Sequence, residues 1–99
     1  MKGVVWGSTL ERAIKKLEDI ENNYKNSFIP IVKKIKNKNQ YLVMFENGDV
    51  WRATGAYVSK RQRCNISYID LEIDSKFREE VIKPVTSFPP YNAIQYYDI

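Results

Sequence analysis

The chain contains no histidine and one cysteine, Cys64. Without histidine it lacks the usual general base of enzymes and the commonest ligand of transition metals, so no zinc site is expected. One cysteine cannot form a disulfide within the chain, and few cysteines are typical of a reducing compartment. We therefore expect a cytoplasmic protein in which Cys64 is packed in the core rather than acting as a nucleophile.

A long hydrophobic run is also missing. No stretch approaches the roughly 20 apolar residues that a membrane helix needs, and the short apolar stretch after Lys2 is not typical of a signal peptide. The length of 99 residues favours one domain. The 16 basic and 12 acidic side chains give a net charge of +4, which permits an anionic partner without requiring one.

One amphipathic helix dominates the local signals. Ser8 and Glu11 have the spacing of a capping box, and the residues that follow place apolar side chains on one helical face up to Tyr24. The pattern predicts a helix from about Thr9 to Lys25, after a short strand from Val4 to Trp6.

The middle of the chain reads as a series of strands. Asn47-Gly48 is typical of a two-residue type I′ turn, in which both central residues have positive φ. Further along, Asp74 can cap a second helix that Pro84 ends. The resulting fold class is α/β or α+β, a mixed sheet of about five strands with a central hairpin meander and two helices packed on it. The predicted segments are strands at Ile31–Lys36, Tyr41–Phe45, Val50–Ala53 and Asn65–Leu71, a loop at Thr54–Arg63, a helix at Ser75–Lys83 and an extended tail, rich in Pro and Tyr, at 84–99.

Residues 45–74, FENGDVWRATGAYVSKRQRCNISYIDLEID, resemble a stretch of the ATPase domain of phage terminase large subunits. In that family an apolar strand runs into Asn-Gly-Ser, a return strand and a loop with Ser and Arg follow, and a second apolar strand ends in Asp-Glu. The opening strand and helix are similar to an earlier strand–helix unit of the same domain. The resemblance implies a phage or prophage protein.

The departures from that family concern its catalytic parts. A phosphate-binding loop needs a Gly-rich turn followed by Lys and Ser or Thr, and Gly7-Ser8-Thr9 has one Gly and no Lys. The acidic pair is broken, because Leu71 separates Asp70 from Glu72. We therefore expect Asp70 to end a strand or to pair with a nearby Lys or Arg rather than to hold catalytic magnesium.

Basic residues form two groups, one in the first hairpin and one in the loop before the acidic strand. Lysines on an edge strand discourage aggregation between sheets, so the hairpin lysines, Lys33, Lys34, Lys36 and Lys38, are interpreted as a solvated edge. In the second group, cations that can neutralise phosphates lie close to aromatic side chains that can stack on bases. The candidate ligand-binding residues are Trp51, Arg52, Tyr57, Lys60, Arg61 and Arg63.

The tail supplies a candidate protein interface, because tyrosine is enriched at interfaces. Its residues are Tyr91, Tyr96 and Tyr97. They could contact a second copy of the chain or a host or phage protein.

Together these features predict a non-enzymatic phage or prophage accessory protein that binds an anionic ligand. Nucleic acid is the first choice of ligand, because the charges are spread over two segments. One alternative is a counter-defence protein that sequesters a small nucleotide signal. The other is a protein inhibitor or adaptor that docks through the tyrosine-rich tail. We expect no cofactor, no metal and no membrane partner.

Overall fold

The computed structural model describes residues 1–38, 40–55, 64–79 and 94–96. Within them, six strands and two helices follow one another along the chain. Their bounds are β1 (Lys2–Gly7), α1 (Leu10–Asn26), β2 (Ile31–Lys36), β3 (Gln40–Phe45), β4 (Val50–Gly55), β5 (Ile66–Ile69), α2 (Ser75–Phe77) and β6 (Ile94–Tyr96).

All six strands belong to one mixed sheet, in the order β2-β3-β4-β1-β5-β6. β1 pairs in parallel with β4 on one side and β5 on the other, β5 pairs in parallel with β6, and β2, β3 and β4 form an antiparallel meander. The predicted α/β class with a mixed sheet, a central meander and two helices is confirmed. The sixth strand, β6, comes from the segment predicted as an extended tail.

Helix α1 covers one face of the sheet. Its buried residues, Ala13, Leu17 and Ile20, recur at the spacing that places side chains on one helical face. They pack against Val5 and Val43 of the sheet. The helix therefore forms because it buries this apolar stripe, as its sequence pattern indicates.

The start of α1 differs from the prediction. Thr9, not Ser8, is the N-cap, and its side-chain oxygen accepts a hydrogen bond of 3.3 Å from the amide of Arg12. The turn from β1 into the helix is tight. A Cβ placed on Gly7 would lie 2.2 Å from the carbonyl oxygen of Thr9, so glycine lets the helix approach the strand. The predicted capping box of Ser8 and Glu11 is wrong, because the Ser8 side chain donates its hydrogen bond to Asp70.

Two apolar clusters lie on opposite faces of the sheet. On the helical face, Val5 and Val43 pack beneath α1 with the aromatic rings of Phe45 and Trp51. On the second face the buried members are Val4, Trp6, Cys64, Ile69 and Ile73, with Phe77 of α2 packed against them. Cys64 is buried as predicted, and burial raises the pKa of its thiol to about 12.

The turn between β3 and β4 is not the predicted type I′ turn. Among the described residues outside glycine, Phe28 alone has a positive φ, so Asn47 does not adopt the conformation that this turn requires. Gly48 has a φ of +92° and donates its amide to the carbonyl of Phe45. A turn of residues 45–48 whose last residue is a glycine at positive φ is typical of a three-residue hairpin loop. The Asn47 side chain instead accepts a hydrogen bond from the amide of Asp49.

β5 is shorter than the predicted strand at Asn65–Leu71. It ends at Ile69 because the chain turns at Asp70, whose carbonyl accepts a hydrogen bond from the amide of Ile73. Asp74 caps α2 as predicted, through a 2.9 Å bond from the amide of Lys76. The predicted end of that helix, near Lys83, lies outside the described residues.

Candidate functional site

The carboxyl ends of two parallel strands and the start of a helix meet at one edge of the sheet. β1 ends at Gly7 and leads into α1, while the neighbouring β5 ends at Ile69 and leads into Asp70. In open α/β sheets, ligands bind outside the carboxyl ends of the strands. This edge is therefore a candidate functional site.

The Asp70 carboxylate is the centre of this edge. Its side chain is fully buried and accepts five hydrogen bonds. Ser8 donates its amide at 2.9 Å and its hydroxyl at 2.8 Å to Oδ2. Arg12 donates Nε to Oδ2 at 2.6 Å and Nη2 to Oδ1 at 3.1 Å. The amide of Glu72 donates to Oδ1 at 2.9 Å.

These contacts set the charge state of Asp70. Burial by itself would raise the pKa of the carboxyl, but the hydrogen bonds from Arg12, from the amides of Ser8 and Glu72 and from the Ser8 hydroxyl outweigh it. The pKa of Asp70 therefore lies well below its usual range, and the group is an anion at neutral pH. A second carboxylate, Glu72, lies 3.4 Å from Nη1 of Arg12 but is largely exposed.

The prediction that Asp70 pairs with a basic residue is confirmed, and its partner is Arg12. The sequence carries a signal for that partner. A cation in the first turn of a helix opposes the helix dipole, so a carboxylate near Arg12 is favourable. Ser8, interpreted as a cap, instead presents its amide and hydroxyl to this internal anion. Among the described residues, no group of three or more potential ligands could hold a metal ion.

Trp51 is not available to stack on a base, which corrects its assignment to the ligand-binding group. Its side chain is 3% exposed and lies under α1. Its Nε1 donates a 2.9 Å hydrogen bond to the hydroxyl of Tyr24, which in turn donates to Asp49 at 2.6 Å. Alternation along β4 decides this, because Trp51 shares its face with the buried Ala53.

Arg52, the next residue of β4, lies on the second face of the sheet. The register aligns it with Val4 of β1 and Leu42 of β3. One row away on the same face, Lys2 aligns with Val50 and Lys33 aligns with Met44. Three basic residues, Lys2, Lys33 and Arg52, therefore share this face, and the first two are exposed.

Among the described residues of the strands that form it, this basic face holds no acidic side chain, and its centre is covered, since Val4, Trp6, Leu42 and Thr54 are buried. The other described residues that β1 to β4 place there are apolar or neutral: Val4, Trp6, Ile35, Leu42, Met44, Val50 and Thr54. To identify this face from the sequence, one needs the alternation along each strand and also the order of the strands in the sheet. The order of the strands cannot be read from any local segment of the sequence.

The other predicted ligand-binding residues, Tyr57, Lys60, Arg61 and Arg63, lie outside the described residues. So do Tyr91 and Tyr97 of the predicted interface. Tyr96 is the last residue of β6 and aligns with Tyr68 of β5.

The predicted lysine-rich hairpin strand, β2, lies at an edge of the described sheet, and all six of its residues are exposed. Lys34 points toward α1, where its Nζ lies 3.5 Å from Glu21 and 5.9 Å from the ring centre of Tyr41. The solvated-edge interpretation thus agrees with the position of the strand.

No family model, no curated protein and no solved structure matches the chain. The terminase resemblance stays a prediction from short motifs. No helix in the described part of the chain is long and apolar enough to cross a bilayer.

Proposed function

We propose that this chain is a non-catalytic phage or prophage accessory protein that binds nucleic acid in the cytoplasm of the host cell. The observation that carries the proposal is the shared face of Lys2, Lys33 and Arg52, with no acidic residue among the described strand residues around them. The phage origin rests on the terminase resemblance.

The physical argument is electrostatic. Phosphates of nucleic acid release counterions when lysine and arginine neutralise them, and this release favours binding. On the basic face, Lys2 and Lys33 are separated by the width of β3 and β4. These two exposed cations lie at distinct points beside the buried centre of the face. Such a spread suits a polyanion better than a small anion, which is held by groups that converge on one point.

The non-catalytic part of the proposal rests on Asp70. In nucleotide hydrolases a strand-end carboxylate holds magnesium and the amides at a helix start hold phosphate. Here the carboxylate binds Arg12, and the amide of Ser8 binds the carboxylate. The carboxylate that would hold magnesium and the amide that would hold phosphate are therefore bound to each other.

Fluorescence anisotropy with labelled single- and double-stranded DNA and RNA at several salt concentrations tests the proposal. Wild-type affinity should fall steeply with salt. Changing Lys2 and Lys33 to alanine should weaken binding to every sequence and flatten the salt slope by about two units. The matched control changes Lys15 and Lys36, which are also exposed but lie on the side of α1. It removes the same charge and should have the smaller effect.

The loop cations are tested separately. Changing Lys60, Arg61 and Arg63 together to alanine should flatten the slope by about three units if each meets a phosphate. If the Lys2 and Lys33 variant and the Lys15 and Lys36 variant lost the same affinity, binding would depend on net charge and not on the basic face. Absence of wild-type binding at low salt would remove the nucleic-acid proposal.

In that case the two alternatives take its place. Calorimetry with cyclic nucleotides would detect a protein that sequesters a nucleotide signal. A pull-down that depends on Tyr91, Tyr96 and Tyr97 would detect an adaptor that docks through the tail.

A further inference from the structure

The open edge of the sheet has features that core packing does not explain. β2 ends the described sheet, and no described strand pairs with its outer side. Its six residues span about 20 Å. Ile31, Val32 and Ile35 are exposed by 37%, 61% and 41%, although apolar side chains on an open edge invite pairing with another chain.

Phe28 lies shortly before β2 in the chain and has an unfavourable backbone conformation. Its φ is +59°, and it follows Ser27, the C-cap of α1. The amide of Phe28 donates to the carbonyl of Lys25, and the amide of Ile29 donates to that of Tyr24. These bonds form the helix-ending motif in which glycine normally holds the position of Phe28.

The side chain of Phe28 does not offset that strain through packing. It is 94% exposed, so it contributes little buried apolar area to folding. A residue other than glycine at positive φ costs about 1–2 kcal/mol, and such strain is found at functional sites more than elsewhere. An exposed aromatic side chain held at this cost is suited to contact a partner.

Phe28 also borders a groove of about 430 Å³, whose apolar wall is formed by Phe28, Ile29, Pro30 and Ile31. Ile31 is both a wall residue of the groove and the first residue of β2. The groove is therefore continuous with the open edge, and a chain laid along β2 reaches it at one end.

The charge of the β2 edge favours a partner of opposite charge. β2 carries Lys33, Lys34 and Lys36, and Lys25 lies at the groove. The carboxylate at the groove, Glu21, already contacts Lys34 and the hydroxyl of Tyr41. The edge thus presents an excess of positive charge.

A second copy of the chain fits this edge poorly. Every antiparallel register of two β2 strands that is centred between Lys33 and Ile35 sets one lysine directly opposite another. Like charges in directly opposed positions destabilise a strand pair. An acidic strand would meet the same lysines with opposite charge.

We propose that the β2 edge binds an extended acidic segment of a protein partner as an added strand, with one apolar side chain of that segment seated in the groove beside Phe28. Main-chain hydrogen bonds supply the affinity in this mode, and the side-chain pocket and the lysines supply the selectivity. The inference rests on the edge of the sheet and the groove beside Phe28, whereas the nucleic-acid proposal rests on the second face; Lys33 belongs to both surfaces.

The test selects peptides on the immobilised full chain from a display library of random 12-residue sequences. Enriched sequences should combine Asp or Glu with alternating apolar residues. A synthetic peptide of the enriched sequence should protect amides of β2 from hydrogen exchange. Enrichment without an excess of acidic residues, or protection confined to other elements, overturns the proposal.

Two variants then locate the peptide site by anisotropy. Phe28→Gly relieves the strained backbone, so it should fold at least as well as wild type and yet bind the peptide about tenfold more weakly, as for loss of a hot-spot aromatic. Leu71→Ala is the matched control, because it removes another exposed apolar side chain at a distant turn. Equal affinity of wild type and Phe28→Gly for the peptide would refute the docking site.

Self-association is the remaining outcome. If sedimentation shows a dimer whose formation protects β2 and is lost on Val32→Lys, the occupant of the edge is a second copy, and the acidic-partner proposal fails. DNA binding measured in Phe28→Gly keeps the two proposals apart, since that variant leaves Lys2, Lys33 and Arg52 unchanged.

Discussion

Arg12 and Asp70 lie 58 residues apart in the chain and are joined by two hydrogen bonds, from Nε to Oδ2 at 2.6 Å and from Nη2 to Oδ1 at 3.1 Å. The paired geometry fixes the first turn of α1 to the end of β5. Because the carboxylate is fully buried, its hydrogen bonds are protected from competition with water. The contact therefore holds the carboxyl end of β5 against the start of the helix that follows β1.

Replacing Asp70 with asparagine should destabilise the fold. The amide keeps the size of the side chain but loses the charge that Arg12 and Ser8 bind, and hydrogen bonds to charged groups contribute about 1.5–3 kcal/mol. We expect the free energy of unfolding in urea to fall by about 2 kcal/mol. Glu72→Gln is the control, since that exposed carboxylate should contribute less than about 1 kcal/mol. Equal losses in the two variants would contradict the role given to Asp70.

Stability should fall in acid because of the same group. The pKa of Asp70 is lower in the folded chain than in the unfolded chain, so the unfolded state binds more protons at low pH. The stabilisation is present above the unfolded pKa of about 3.9 and is lost as the pH falls toward the folded value. The difference in unfolding free energy between wild type and Asp70→Asn should therefore shrink below about pH 4. A difference that stays constant down to about pH 2 would argue against the lowered pKa of Asp70.

Phe28→Gly should raise the free energy of unfolding by about 1 kcal/mol, because glycine adopts positive φ without the steric cost that Phe28 incurs. Thermal and urea unfolding measure the change. Phe28→Ala tests the cause, since alanine removes the ring but keeps the backbone strain and should not stabilise the fold. Stabilisation by alanine equal to that by glycine would show that the ring, and not the backbone, is unfavourable.

Gly48→Val should destabilise the hairpin between β3 and β4 by roughly 1 kcal/mol or more, because a β-branched residue is strained at positive φ. Space is not the limit, since a Cβ at Gly48 meets no atom within 4 Å. Gly48→Asn should therefore cost less, because asparagine tolerates this region of φ. An unchanged melting temperature in the valine variant would exclude the strained conformation in solution.

The protein should show no magnesium-dependent hydrolysis of ATP or GTP above background. The reason is the engagement of Asp70 by Arg12 and of the Ser8 amide by Asp70. Phosphate release by the purified chain measures it. Turnover that disappears in Asp70→Asn, at a temperature where circular dichroism shows that variant to be folded, would reverse this prediction.

Local sequence determined most of the secondary structure. The apolar stripe of α1 and the glycine of the hairpin act within a few residues, so the helix and the meander follow from periodicity and turn chemistry. Two details of the local prediction were wrong. Thr9 caps the helix because Ser8 is drawn to Asp70, and the hairpin uses one positive φ at Gly48 rather than two.

The site depended on contacts between distant parts of the chain. The sequence indicated that Asp70 would pair with a basic residue, but Arg12 became its partner only when β5 was placed beside β1. The sequence interpretation placed Trp51 and Arg52 in one ligand-binding group, although alternation along β4 puts them on opposite faces. The packing of α1 decided that Trp51 is buried and that Arg52 shares the other face with Lys2 and Lys33. Periodicity within one strand determines which of its residues share a face. Strand order and helix packing determine whether that face is buried and which residues of other strands lie beside it, because both depend on the whole sheet.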